Sequence, residues 1–308
     1  RRTPQCDARV LAKDEWPVAL RIAQQDPVSY ILAITHINSG LVHGVDMGEL
    51  WGFPAKGPVQ AVCWMGANLI PIIPDPDPEL RSEALISFAA MAASSNKRSS
   101  SIVGPSDLAL ALWRNLEGSW KSPREIRASQ PSMAIASTPL IEPDPDVKVA
   151  RWNDFDALLP ASVHMFIEEV GVSPLSFGSA QYSMRVRELI ADNRSLLRYA
   201  STLEPRSGRS DEVIFKADFG AVTPDVAQVQ GVWVSPEYRG RGLAAPAVAT
   251  VVEHGLSTIA PIVSLYVNDY NRRAISVYQK VGFEQVGEYA TVLFQRQCRC
   301  VMPCGRAV

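Results

Sequence analysis

In the stretch SPEYRGRGLAAPAV, residues 235–248, Gly240 and Gly242 alternate with Arg239 and Arg241 and run directly into an apolar segment. Glycine reaches positive φ and lets another group come close to the backbone. Two glycines one residue apart can therefore aim successive N–H groups at a single point. A helix starting near Leu243 adds the unpaired amides of its first turn and the positive end of its dipole. Pro246 suits such a start, because a missing N–H there breaks no helical hydrogen bond, whereas in a helix interior it costs about 3 kcal/mol. With two arginines at the rim, the chemistry this stretch can do is to hold a phosphate. It is neither a P-loop, since no GK[ST] follows, nor the GxGxxG of a dinucleotide fold, whose spacing differs.

The flanking sequence supplies the elements that would position this turn. Apolar residues at 243, 247, 248, 251, 252 and 256 share one helical face. Before the turn, LLRYAST, DEVIFKADFGAV and VAQVQGVWVSP read as three strands of an antiparallel meander, preceded by a strand at VKVARW and a helix over 154–170. After it come a buried strand, IVSLYVN, a helix, NRRAISVYQKV, and a closing pair of strands, FEQVG and YATVLF. The first half repeats the end of this order: a strand pair in VQAVCWMGANLIPI, a helix in ELRSEALISFAAMAAS, a strand SSIVG, a helix PSDLALALWRNLEG and a strand IRASQPSMAIAS. Where the second half has RGRGLA, the first has PDPDPEL, which is acidic, proline-locked and unable to wrap an anion. The proline-rich run 130–146 sets the expected border, giving domains 1–145 and 146–294 and a loose tail 295–308.

Bulk properties agree with two globular lobes of roughly 150 residues each. The 308 residues are 47% hydrophobic and 20% charged. A net charge of −2 argues against nucleic acid as the main partner. No apolar run is long enough for a membrane span and RRTPQCDARV lacks a secretory leader, so the expected location is cytoplasmic. Of five cysteines, Cys6 and Cys63 are isolated and Cys298, Cys300 and Cys304 crowd into CRCVMPC; an odd count without a framework favours reduced thiols. His36, His43, His164 and His254 show no ligand spacing, and no metal site is expected. Trp51, Trp64, Trp113 and Trp120 read as core.

VWVSPEYRGRGLA followed by a helix and then SLYVNDYNRRAISVYQKVGFEQVG resembles the GNAT superfamily of N-acetyltransferases. Arg239, Gly240, Arg241, Gly242, Leu243 and Ala244 match its [QR]xxGx[GA] signature, and Asn271, Ala274, Tyr278, Gly282 and Phe283 match its later N…A…Y…GF element. The resemblance implies an α+β (α/β) fold of two GNAT-like lobes, each a mixed, mostly antiparallel sheet flanked by helices, the N-terminal one degenerate and without a cofactor turn. It implies acetyl-CoA as co-substrate, its diphosphate on residues 239–244 and its pantetheine beside Val232, Trp233 and Val234, with an amide of Trp233 or Val234 facing the oxyanion. Tyr278 would protonate the departing thiolate, while Asn271, with Ala274, would bind pantetheine or position its helix. Many relatives carry a basic glutamate on the strand before the turn, where this chain has only Gln228 and Gln230. Glu168, Glu169 and Asp269 are the candidate bases, with a water chain as the other route. The acceptor is an amine on a protein or a small molecule; a non-catalytic acyl-CoA sensor is the competing class.

Overall fold

The computed structural model describes residues 6–43, 48–95, 99–171, 173–176, 178–204 and 211–294. In chain order the elements are β1 (Arg9–Val10), α1 (Trp16–Ala23), α2 (Ile31–His43), β2 (Glu49–Phe53), β3 (Ala61–Met65), β4 (Asn68–Ile72), α3 (Pro78–Ser94), β5 (Ser101–Pro105), α4 (Ser106–Leu116) and β6 (Glu125–Ile135). There follow β7 (Lys148–Val149), α5 (Phe155–Val170), α6 (Ser179–Ala191), β8 (Ser195–Tyr199), β9 (Val213–Val222), β10 (Val226–Val234), α7 (Ala244–Thr258), β11 (Ile262–Tyr266), α8 (Arg272–Val281) and β12 (Glu284–Leu293).

The chain forms two compact units that do not follow the expected border at residue 145. One holds residues 1–22, 40–129 and 289–308; the other holds 23–39 and 130–288. In the first, β1 to β5 pair in sequence order and Tyr289–Leu293 of β12 close the far edge against β5. In the second, the order is β7-β8-β9-β10-β11, and Ser132–Ile135 of β6 close the edge against β11. Each sheet has one parallel pair, β4–β5 or β10–β11, joined by a crossover helix, α3 or α7. Each unit thus takes its closing strand from the segment expected to lie in the other. The physical reason is burial: Met133 and Ile135 sit in one core cluster with Val263, Leu265 and Phe283. Residues 23–39 join the second unit because Ile31 packs with Ala221 and Val226.

In the second unit, α7 lays Ala247, Val248, Val251 and Val252 on a sheet face carrying Phe215, Phe219, Ala227 and Val263. Those four positions are the centre of the periodic face read from sequence. The opposite layer is α5 with α6, where Leu158, Ala161, Val186 and Ile190 pack with Leu197, Val213 and Trp233. The meander β8–β9–β10 and the first-half elements lie where the sequence placed them. FEQVG and YATVLF, by contrast, are one strand. Gly287 between them makes no turn; it lies inside the strand, where an added Cβ would stand 3.9 Å from Ser132 Cβ. Trp51, Trp64, Trp113 and Trp120 are buried, as is Cys63, whose thiol burial pushes upward in pKa, while Cys6 is exposed. Cys298, Cys300 and Cys304 lie outside the described residues, as does the side chain of His43. Among the described residues no helix is long and apolar enough to cross a membrane, and no cluster could hold a metal ion.

At Gly255, α7 lies close against the sheet: an added Cβ would stand 2.6 Å from Val263 Cγ2 and 2.8 Å from Phe219 Cζ. Neither neighbour has room to retreat in a filled core. We expect Gly255→Ala to destabilise the fold by about 1–3 kcal/mol, seen as a lower midpoint in urea unfolding with an unchanged slope.

Candidate functional site

The site begins where β10 departs from both neighbours. Against β9, Gln230 faces Asp218 and Trp233 faces Lys216, so Gly231 and Val232 together oppose Ala217 alone. This is a β-bulge, with Gly231 at φ 60°. Against β11, pairing runs Val226–Ile262, Ala227–Val263, Gln228–Ser264 and ends, while Leu265 and Tyr266 continue on β6. The two parallel strands therefore part after three rungs. Ser235 donates its N–H to Ile214 O on β9 at 2.9 Å. Ladder alternation then turns the peptide groups of Val234 the other way, toward the opened edge. Consistently, Val234 O accepts from Arg239 Nε at 2.9 Å. By the same alternation the Trp233 amide points at β9, so Val234 is the better placed of the two expected oxyanion donors. At the fork, Ser264 is 1% exposed and its hydroxyl has no hydrogen-bond partner among the described residues.

The strand leads into a 3₁₀ turn, Pro236–Tyr238, and the two glycines, each at φ 78°. A Cβ on either would meet nothing within 4 Å, so conformation and not space demands glycine there. At Leu243 no side chain caps α7. Two other helices begin differently: α8 is capped by Asn271 Oδ1, which accepts from Ala274 N, and α3 by Asp77, which accepts from Glu79 N. Asp75 takes the Asp77 amide as well, leaving the α3 mouth filled by the chain's own carboxylates, as PDPDPEL foretold. The α7 mouth, reached through the two glycines, has no such carboxylate or amide across it among the described residues. Arg239 Nη2 pairs with Glu168 Oε2 at 2.7 Å, and Arg241 Nη1 with Glu204 Oε1 at 2.9 Å while its guanidinium covers the Tyr238 ring. All four side chains are roughly half exposed, and such pairs are worth ~1 kcal/mol or less, so a diphosphate can take the arginines over.

Tyr278 sits on α8, 7% exposed and edge-on to Phe283. Its hydroxyl makes no hydrogen bond among the described residues. Burial, then the charge of Glu169, push its pKa up, so it holds its proton. The charge of Glu169 raises Tyr182 as well, after burial and the charge of Asp218. Glu168 does not stand free: it accepts from Trp233 Nε1 at 3.2 Å as well as from Arg239. Asp269 lies half-buried in the loop between β11 and α8 and makes no hydrogen bond or ion pair with described residues. Asn271, as α8 cap, positions the helix that carries Tyr278. Along α5 runs a cleft of about 1000 Å³ lined by Asp156, Glu168, Asp211, Glu212 and Glu237, with Trp233 and His164 and, among the described residues, no lysine or arginine.

The sequence reading missed Lys216, Asp218 and Ser195. Lys216 Nζ bonds to Asp218 Oδ2, whose Oδ1 accepts from Ser195 Oγ. The available signal was KAD inside VIFKADFGAV: two opposite charges at i and i+2 of an apolar strand must share one face.

Residues 205–283 match the acetyltransferase (GNAT) family, and residues 48–158 match a domain of unknown function, DUF4081. An uncharacterized N-acetyltransferase of Methanocaldococcus jannaschii is 33% identical over 61 residues, covering 20% of this chain and 27% of the relative. The chain thus spans about a quarter of that relative's length. A GNAT-family acetyltransferase structure from Colwellia psychrerythraea superposes with a TM-score of 0.55 at 11% identity, over 94% of this chain and 99% of the other. A tandem GNAT protein from the clavulanic acid biosynthesis pathway does so at 0.53 and 12%, over 93% and 98%. At these identities the structures speak for the fold, and they share it from end to end. Signature residues, forked sheet and family match agree: residues 205–283 carry an acetyltransferase domain of the GNAT family, in a chain whose fold is that of two-lobed GNAT structures.

Proposed function

We propose that this chain is an acetyl-CoA-dependent N-acetyltransferase whose second unit carries the reaction. The observation that carries the reading is continuity: the opened edge of β10 runs without interruption into the uncapped mouth of α7. Such a track suits a long ligand with peptide-like groups at one end and a diphosphate at the other. The amides of Gly240 to Ala244, with Arg239 and Arg241, would hold the diphosphate. Val232 and Val234 would pair with pantetheine. When bound, acetyl-CoA supplies a thioester whose carbonyl carbon an amine attacks. The Val234 amide faces the developing oxyanion, and Tyr278, kept protonated, donates to the sulfur.

An amine acceptor agrees with the anionic cleft along α5, whose five carboxylates favour a cation over an anion. A cytoplasmic setting agrees with the free thiols of Cys6 and Cys63. The first unit, its own helix mouth filled by Asp75 and Asp77, is read as a degenerate partner without a cofactor turn. One observation favours a CoA-binding sensor as the second reading: Glu168 is engaged and β10 offers glutamines where a base is wanted.

Transfer decides between them. We expect acetyl-CoA and a panel of primary amines to release CoA thiol, with Tyr278→Phe lowering kcat about 10²-fold and leaving the CoA Kd unchanged. CoA binding without release for any amine would favour the sensor. For the turn, Gly242→Val should weaken CoA binding in calorimetry about tenfold, since a branched residue at positive φ costs roughly 1–2 kcal/mol. Gly242→Asn should lose less, because asparagine tolerates that region.

A further inference from the structure

Two buried charges on β9 have no part in that account. Lys216 is 0% exposed and Asp218 13%, and they pair with each other. Taking two ions out of water costs several kcal/mol each, and apolar replacements of similar volume often serve stability as well or better. Stability alone therefore gives no reason for charges here. Their position does. Asp218 is the register partner of Gln230 and Lys216 of Trp233, so the pair brackets the bulge at Gly231. An added Cβ on Gly231 would stand 3.5 Å from Lys216 Nζ and 2.5 Å from Met165 Sδ of α5.

The face is also fixed. Phe215, Ala217 and Phe219 belong to the α7 core, so Lys216 and Asp218 project from the other side of the sheet. There Lys216 meets Met165, and Arg185 of α6 reaches Gly220 O. The charge of Asp218 is felt at Tyr182, and that of Glu169 at both Tyr182 and Tyr278. Asp218 thus stands beside the bulge on the face that α5 and α6 cover. A carboxylate has about four acceptor positions, and Lys216 and Ser195 occupy two. The carboxylate absent from β10 stands one strand over, level with Gln230.

We propose that Asp218, oriented by Lys216 and Ser195, receives the acceptor amine at the Gly231 bulge and takes up its proton. The inference rests on the acetyltransferase reading above. As the neutral amine attacks, the C–N bond forms, the C–S bond breaks and the sulfur takes the Tyr278 proton. The nitrogen, acidified by its bond to the acyl carbon, passes a proton to Asp218, and solvent returns that proton to the Tyr278 phenolate. Amine and thioester become amide and thiol with nothing left over.

The test uses the full chain, acetyl-CoA and the same panel of primary amines. Asp218→Asn should lower kcat/KM at least 100-fold, with the CoA Kd within twofold of the parent. Because that variant leaves Lys216 unpaired, a second one, Lys216→Met with Asp218→Leu, separates fold from chemistry. It should keep the parent's melting temperature and CoA affinity and lose transfer. A double variant that unfolds, or one that transfers acetyl as fast as the parent, assigns the pair to the fold and overturns the proposal. A parent chain that binds CoA and acetylates no amine overturns both this inference and the reading beneath it.

Discussion

Two parallel strands that pair for three rungs and then separate leave one edge of a central strand to be satisfied by something other than the sheet. Backbone N–H and C=O groups inside a protein are expensive to leave unpaired. The parting of β10 from β11 after Gln228 and Ser264 therefore governs what the second unit can bind. Everything near it serves that opening. The Gly231 bulge re-aims β10 on its other side, β6 keeps the freed part of β11 in pairing, and the glycine turn carries the exposed track to the mouth of α7. Closing the fork would leave an ordinary mixed sheet with no place for a long ligand.

Legibility in the sequence followed the range of the interaction. The α7 face was readable because its period is local, and the turn because only glycine holds φ 78° without strain. Asn271 was readable as a motif position, but that its Oδ1 caps α8 came only with the fold. The fork was not readable: Val226 to Gln228 and Val229 to Val234 belong to one β-rich run, and nothing in their composition says where the neighbour leaves. The single strand β12 was misdivided for a related reason. Glycine at 287 is a turn former by composition, yet it lies inside the single ten-residue strand Glu284–Leu293.

The unit borders show the same limit more sharply. A proline-rich run looks like a linker from sequence, and 130–146 is one by composition, yet its first residues are a strand that β11 requires. The exchange of closing strands gives each unit a long-range pairing that no linear division anticipates. It also explains why Asp218 escaped notice: its importance comes from the register with Gln230 and the helix above it, not from any neighbour in sequence. Charges on an apolar strand were the visible half of that signal.

The seating of a diphosphate on main-chain amides is the premise on which the functional account stands, and amide proton shifts report it directly. On titrating CoA into the isotope-labelled chain, the N–H resonances of Gly240, Gly242 and Ala244 should move downfield together and saturate, while pantetheine, which lacks the diphosphate, should leave them in place. Resonances that stay fixed at saturating CoA, or that move equally with pantetheine, would contradict the account.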